Sequence, residues 1–99
     1  MSQQYNIYSG KIPNNVKYLF TKTCKSDDDA LKIAKKCAET YYYKNEGKYG
    51  IPSFSQISKE AEITGLDIQT LYDDHIKDLM RWYAIPTEFD TIPIKKLKF

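Results

Sequence analysis

The sequence predicts an α+β domain of order β-β-α-α-α, a β-hairpin packed on a long helix followed by two shorter helices that close the other side, with room for a C-terminal strand. Three observations predict it. Two short runs rich in Tyr, Ile and Val flank the breaker Pro13-Asn14-Asn15. Ser26-Asp27-Asp28-Asp29 then opens a stretch whose apolar residues recur every three and four positions. Two further helical stripes follow, each behind its own capping residue, Ser53 and Asp67.

Gln4-Tyr5-Asn6-Ile7-Tyr8-Ser9 is aromatic and β-branched, and Gly10 supplies the turn that ends it. Val16 to Cys24 resumes in the same style. Strict alternation places Val16, Tyr18, Phe20 and Cys24 on one face and Lys17, Leu19, Thr21 and Thr23 on the other. An isolated hairpin is marginal in water, so its edge is expected to pair with the tail or with a second copy, most simply in a homodimer.

In the long helix Ser26 accepts from a free amide while three acids complement the positive end of the helix dipole. Ala30, Leu31, Ile33, Ala34, Cys37, Ala38 and Tyr41 form the apolar face, and about 20 residues fit before Gly47 by the usual stop rules. Lys25, Lys32, Lys35 and Lys36 lie off that face as a basic surface. Ser53 and Gln56 form a capping box for a second helix reaching Ile63, with Ile57 placed to staple back. Asp67 opens a third, whose stripe of Ile68, Leu71, Tyr72, Ile76, Leu79, Met80 and Tyr83 continues until Pro86. Residues 1–90 read as one domain and 91–99 as a basic extended tail, the segment from Ala84 onward being extended and a candidate edge strand.

Composition narrows function. At 99 residues, 41% hydrophobic and 28% charged, the chain is globular and has room for a single core. It has neither an apolar run long enough to span a membrane nor the basic-then-apolar start of a signal peptide, which predicts a cytoplasmic protein without a membrane partner. The net charge of +2 divides unevenly: residues 1–52 sum to +4, residues 53–90 to −5 and residues 91–99 to +3. His75 is the sole histidine, and Asp73-Asp74-His75 on a helix diverge by about 100° per residue, so no metal site is predicted and Asp78 is the expected partner of His75. Cys24 and Cys37 read as small buried hydrophobes, too few for a disulfide scaffold. With no phosphate loop, nucleophile elbow or dinucleotide fingerprint, neither a catalytic site nor a cofactor is predicted.

Nine tyrosines are the feature that points to binding. Tyr41-Tyr42-Tyr43 spans about 200° of a helix, so Tyr41 can join the core while at least one neighbour must face water or a partner. Large stiff rings with polar tips dominate binding hot spots, and beside cations they stack bases while the cations hold phosphate. The candidate partner surface is Tyr42, Tyr43, Lys44, Lys48, Tyr49, Arg81 and Trp82, with Phe54 and Tyr83 expected nearby.

Two resemblances add to this. Ile57 to Ile63 followed by Gln69-Thr70-Leu71-Tyr72-Asp73-Asp74-His75-Ile76 is similar to the helix-turn-helix of tetracycline-repressor-type regulators, which implies duplex DNA as partner. Electrostatics oppose that reading, because residues 53–90, which contain both helices, are net −5 where a reading helix must lie among phosphates. Over most of the chain, Tyr5-x-Ile7-Tyr8-x-Gly10, Val16-x-Tyr18-Leu19-x-Thr21, Asp27-Asp28-Asp29-Ala30, Glu46-Gly47-x-x-Gly50-Ile51-Pro52-Ser53 and Trp82-Tyr83-x-x-Pro86-Thr87 resemble a group of short uncharacterised phage and prophage proteins. That resemblance implies a counter-defence setting, in which a small protein sequesters a host protein or a nucleotide signal stoichiometrically. A DNA-binding regulator is the alternative.

Overall fold

A computed structural model describes residues 2–90. Strand β1 (Gln3–Lys11) lies at the centre of an antiparallel three-stranded sheet, with β2 (Lys17–Cys24) on one side and β3 (Met80–Pro86) on the other. Between β2 and β3 run three helices, α1 (Asp27–Lys44), α2 (Phe54–Thr64) and α3 (Ile68–Leu79), and a single 3-10 turn, Thr87–Phe89, follows β3. The α+β class and the order of elements are those the sequence predicts, C-terminal strand included. The tail 91–99 lies outside the described residues.

Local chemistry accounts for the helix starts. The Ser26 hydroxyl accepts from the Asp29 amide at 3.1 Å. Ser53 and Gln56 form the full reciprocal capping box, and Ile57 packs in one cluster with Ile51, as a staple requires. Asp67 occupies the cap position of α3 but makes no side-chain cap bond. Helix α1 covers one face of the sheet. Its buried stripe, Ala30, Ala34, Ala38 and Tyr42, repeats every four residues; Ala30 and Ala34 let the helix settle closely on Tyr5, Ile7 and Cys24, while Ala38 and Tyr42 enter a second cluster.

Four sequence expectations are corrected. The third helix ends at Leu79 and the chain turns extended at Met80, so Met80 and Tyr83 belong to β3 and not to a helical stripe. Pairing explains it: β1 has a second edge to fill, Trp82 and Ala84 alternate inward onto the α1 cluster, and the run Arg81 to Ile85 is rich in residues that favour strands. Within β2 the alternation shifts, because Ile7 opposes Phe20 while Tyr8 opposes Tyr18, leaving Leu19 as an extra residue. Lys17 and Leu19 therefore line the α1 side, and Tyr18 and Thr21 take the other face, where Tyr18 packs edge-on against Tyr8 and Thr21 donates to Asn6. Gly10 does not make the turn; it lies inside β1, and the loop after the strand folds back over it. Finally, α2 and α3 do not close the hairpin's second face. They pack on the far half of α1 and on Met80 and Trp82 in a second cluster containing Ala38, Tyr42, Ile51, Ile57, Leu71, Tyr72 and Ile76.

On the sheet face away from α1, Tyr8 is buried under Tyr18 and donates its hydroxyl proton to Asp90, which also accepts from Asn6. Burial first, and then the Asp90 carboxylate, push the Tyr8 phenol up to about 12. Burial raises Tyr42 and Tyr72 to about 12 as well, Tyr72 also through its bond to Glu46. A folded-state value above the ordinary 10 means that the folded state favours the protonated phenol. The stability it contributes is whole below pH 10 and is lost as pH climbs towards 12. We expect alkaline unfolding in that window, with the last part of the tyrosinate absorbance change accompanying the loss of helical circular dichroism; a tyrosinate change that is complete before any loss of helix would contradict it.

Candidate functional site

A cleft lies between α1 and β2. Residues Ile33, Cys37, Thr40 and Tyr41 form its helical wall, Leu19 and the backbone around Gly10 its strand wall, and Lys17, Lys36 and Lys44 its rim. Its volume is about 480 Å³, within the range of about 300–1,000 Å³ common for small-molecule sites. Among the described residues, no carboxylate lines it. Three lysines around an apolar trough favour an anion that carries an apolar or aromatic body, because the ammonium groups stay hydrated at the rim while the trough removes ring or alkyl surface from water.

The sequence explains each wall. Ile33, Lys36, Cys37, Thr40, Tyr41 and Lys44 follow helical spacing along the flank of α1 beside its alanine stripe. The extra residue in β2 brings Leu19 to the helix side. Tyr41 is half-buried in the wall, whereas Tyr42 is the core residue of the Tyr41-Tyr42-Tyr43 run. Burial pushes the Cys37 thiol up, which keeps it protonated and makes it a wall group and not a nucleophile. Cys24 is buried with Tyr5 and Ile7.

The seven residues of the predicted partner surface are spread over the molecule. Lys44 rims the cleft. Tyr42 is fully buried, its ring edge-on to both Tyr43 and Tyr72, so it serves the core. Tyr43 is exposed at 42% and leans on Tyr72 with centroids 5.2 Å apart. Lys48 and Tyr49 stand exposed on the loop before α2, Tyr49 with a positive φ of 53°. Arg81 donates to the carbonyls of Lys77 and Met80, and with Trp82 it lines a small depression beside them. Trp82 also floors a hollow on the other flank of α1 with Asp28, Leu31, Lys32 and Lys35. Lys17, Leu19, Ile33, Lys36, Thr40 and Tyr41 are thus site residues that the sequence reading did not assign. The flank spacing on α1 was a signal available for four of them; the two strand residues depend on the bulge.

The Tyr42 hydroxyl is buried without a hydrogen-bond partner. Leaving such a group dry costs about 1–3 kcal/mol. Tyr42→Phe removes the hydroxyl and keeps the ring contacts, so a urea melt is expected to show equal stability or a gain of about 1 kcal/mol. A clear loss would mean that the hydroxyl has a bonding role.

His75 bonds Glu60 across α2 and α3 at 3.0 Å, not the expected Asp78. The two residues face each other because α2 and α3 run as neighbours joined only by Gly65-Leu66-Asp67, with Gly65 left-handed at the α2 end. Among the described residues, no group of three or more His, Cys, Asp or Glu side chains is gathered to hold a metal ion, and no helix is long and apolar enough to cross a membrane. The exposed side of α3 carries Asp73, Asp74 and Asp78, which repel a phosphate backbone. No protein-family model, curated protein or solved structure matches this chain.

Proposed function

We propose that this chain is a small non-enzymatic binding protein that sequesters an anionic small molecule, a nucleotide-type signal, in the cleft between α1 and β2. The observation that carries the reading is the cleft itself: an apolar trough of about 480 Å³ rimmed by Lys17, Lys36 and Lys44, with no carboxylate among the described residues that line it. Tyr41 offers a ring for stacking, and the lysines offer charge for phosphate. The phage-type resemblance supplies the setting, in which holding a host defence signal one-to-one is sufficient activity.

Thermal denaturation against a panel of cyclic and ADP-ribose-type nucleotides tests it. A ligand at one hundred times its Kd stabilises the folded state by about 2.7 kcal/mol. Lys36→Glu with Lys44→Glu is expected to remove the shift, whereas Lys32→Glu with Lys35→Glu, on the opposite flank of α1, is expected to leave most of it. A shift lost only in the second pair would move the ligand to the Trp82 hollow. No shift across the panel would sink the nucleotide reading and turn the search to a host protein.

A further inference from the structure

The turn between α2 and α3 carries apolar side chains that the other described residues leave uncovered. Ile63 is 85% exposed, Leu66 47% and Ile68 37%, and they fall within six consecutive residues. Acids surround them. From Glu60 to Ile76 the chain holds Glu60, Glu62, Asp67, Asp73 and Asp74 and no Lys or Arg. Ile57 is the one fully buried side chain of α2, and a Cβ added at Gly65 would meet none of the described residues within 4 Å, so the turn stands at the margin of the described fold.

The cleft between α1 and β2 has the opposite character in both respects. It is concave where the turn projects, and Lys17, Lys36 and Lys44 rim it where acids rim the turn. We infer that the occupant of the turn is a second copy of this chain: Ile63 and Leu66 of one copy seat in the α1–β2 cleft of the other, with Glu62 and Asp67 facing its lysines. Complementary charge sets the register, and desolvation of the aliphatic tips supplies the driving force. Each copy offers both surfaces, so two copies related by a two-fold axis make the contact twice, which helps a small cleft approach the roughly 1,200 Å² of buried surface that stable association needs. The inference does not rest on the nucleotide reading, although a ligand that fills the cleft would compete with the partner's turn.

Light scattering and sedimentation over a concentration series, at low and high salt, test it. The wild-type chain is expected to exceed its monomer mass of 11.6 kDa as concentration rises, and to do so less in high salt. Ile63→Glu, at a site too exposed to matter for folding, is expected to weaken association at least tenfold. The deciding arm uses two reversed chains, one with Lys36→Glu and Lys44→Glu, the other with Glu62→Lys and Asp67→Lys. Each alone brings like charges together and should remain monomeric. Mixed one to one, a heterodimer makes one contact with its signs exchanged and the other as in the wild type, and should associate. A wild-type chain that stays at 11.6 kDa overturns the inference, even if it binds nucleotides. Association that survives Ile63→Glu, or reversed chains that fail to pair when mixed, overturns it as well.

Discussion

Gly10→Ala is expected to cost about 3–5 kcal/mol, a large share of the about 5–15 kcal/mol by which such a domain is stable. Gly10 has φ 154°, and a Cβ placed there would stand 1.9 Å from the Asn15 carbonyl oxygen, 2.6 Å from its carbon and 2.9 Å from Val16 Cα. All three are backbone atoms, so no side chain can swing away to make room. They belong to the connection between β1 and β2, which is tied down by the bonds from the Asn15 amide to Lys11 and from the Ile12 amide to Leu79. Relief would require the loop to lift, which would uncover Val16 and break into the cleft wall at Asn15 and Gly10. Urea denaturation measures the loss, and a variant within about 1 kcal/mol of wild type would show that the loop lifts freely.

Ile57→Ala is expected to be the next largest, about 2–4 kcal/mol. The second helix holds on through one fully buried side chain, which packs in the cluster with Tyr42, Ile51, Leu71 and Tyr72. Its neighbours offer little reserve: Ala61 is partly buried, and Phe54 and Ile63 are exposed. Truncating Ile57 leaves a cavity where α1, α2 and α3 meet and weakens the staple to Ile51. Because the sheet and the first half of α1 have their own cluster, of Tyr5, Ile7, Cys24, Ala30 and Ala34, the loss should be local. Hydrogen exchange should show early opening of α2 and α3 with β1 still protected. Uniform loss of protection would instead show that the two clusters melt as one unit.

Much of this arrangement was legible beforehand because it rests on neighbours in sequence. Ser26 and Ser53 cap through amides three residues away, and the four-residue repeat of Ala30, Ala34, Ala38 places α1 on the sheet with no knowledge of the rest of the chain. The cleft was harder. Its helical wall follows from spacing on α1, but Leu19 reaches it only through the extra residue in β2, and no local signal in Lys17 to Cys24 marks that bulge. The tyrosine run had the right logic with the wrong member inside, since Tyr42 continues the four-residue stripe while Tyr41 turns to the cleft.

By itself the sequence determined the α+β class, the order of elements, the caps, the basic front and the acidic pair of helices, all of which depend on chemistry within a few residues. Tertiary structure decided where the last helix stops. Met80 and Tyr83 continue the helical stripe of Ile76 and Leu79, yet Met80, Trp82 and Ala84 alternate equally well as a strand. Local periodicity allows both. The unfilled edge of β1, about seventy residues earlier in the chain, selects the strand, because pairing there satisfies the backbone of both segments and buries Trp82 and Ala84 against α1.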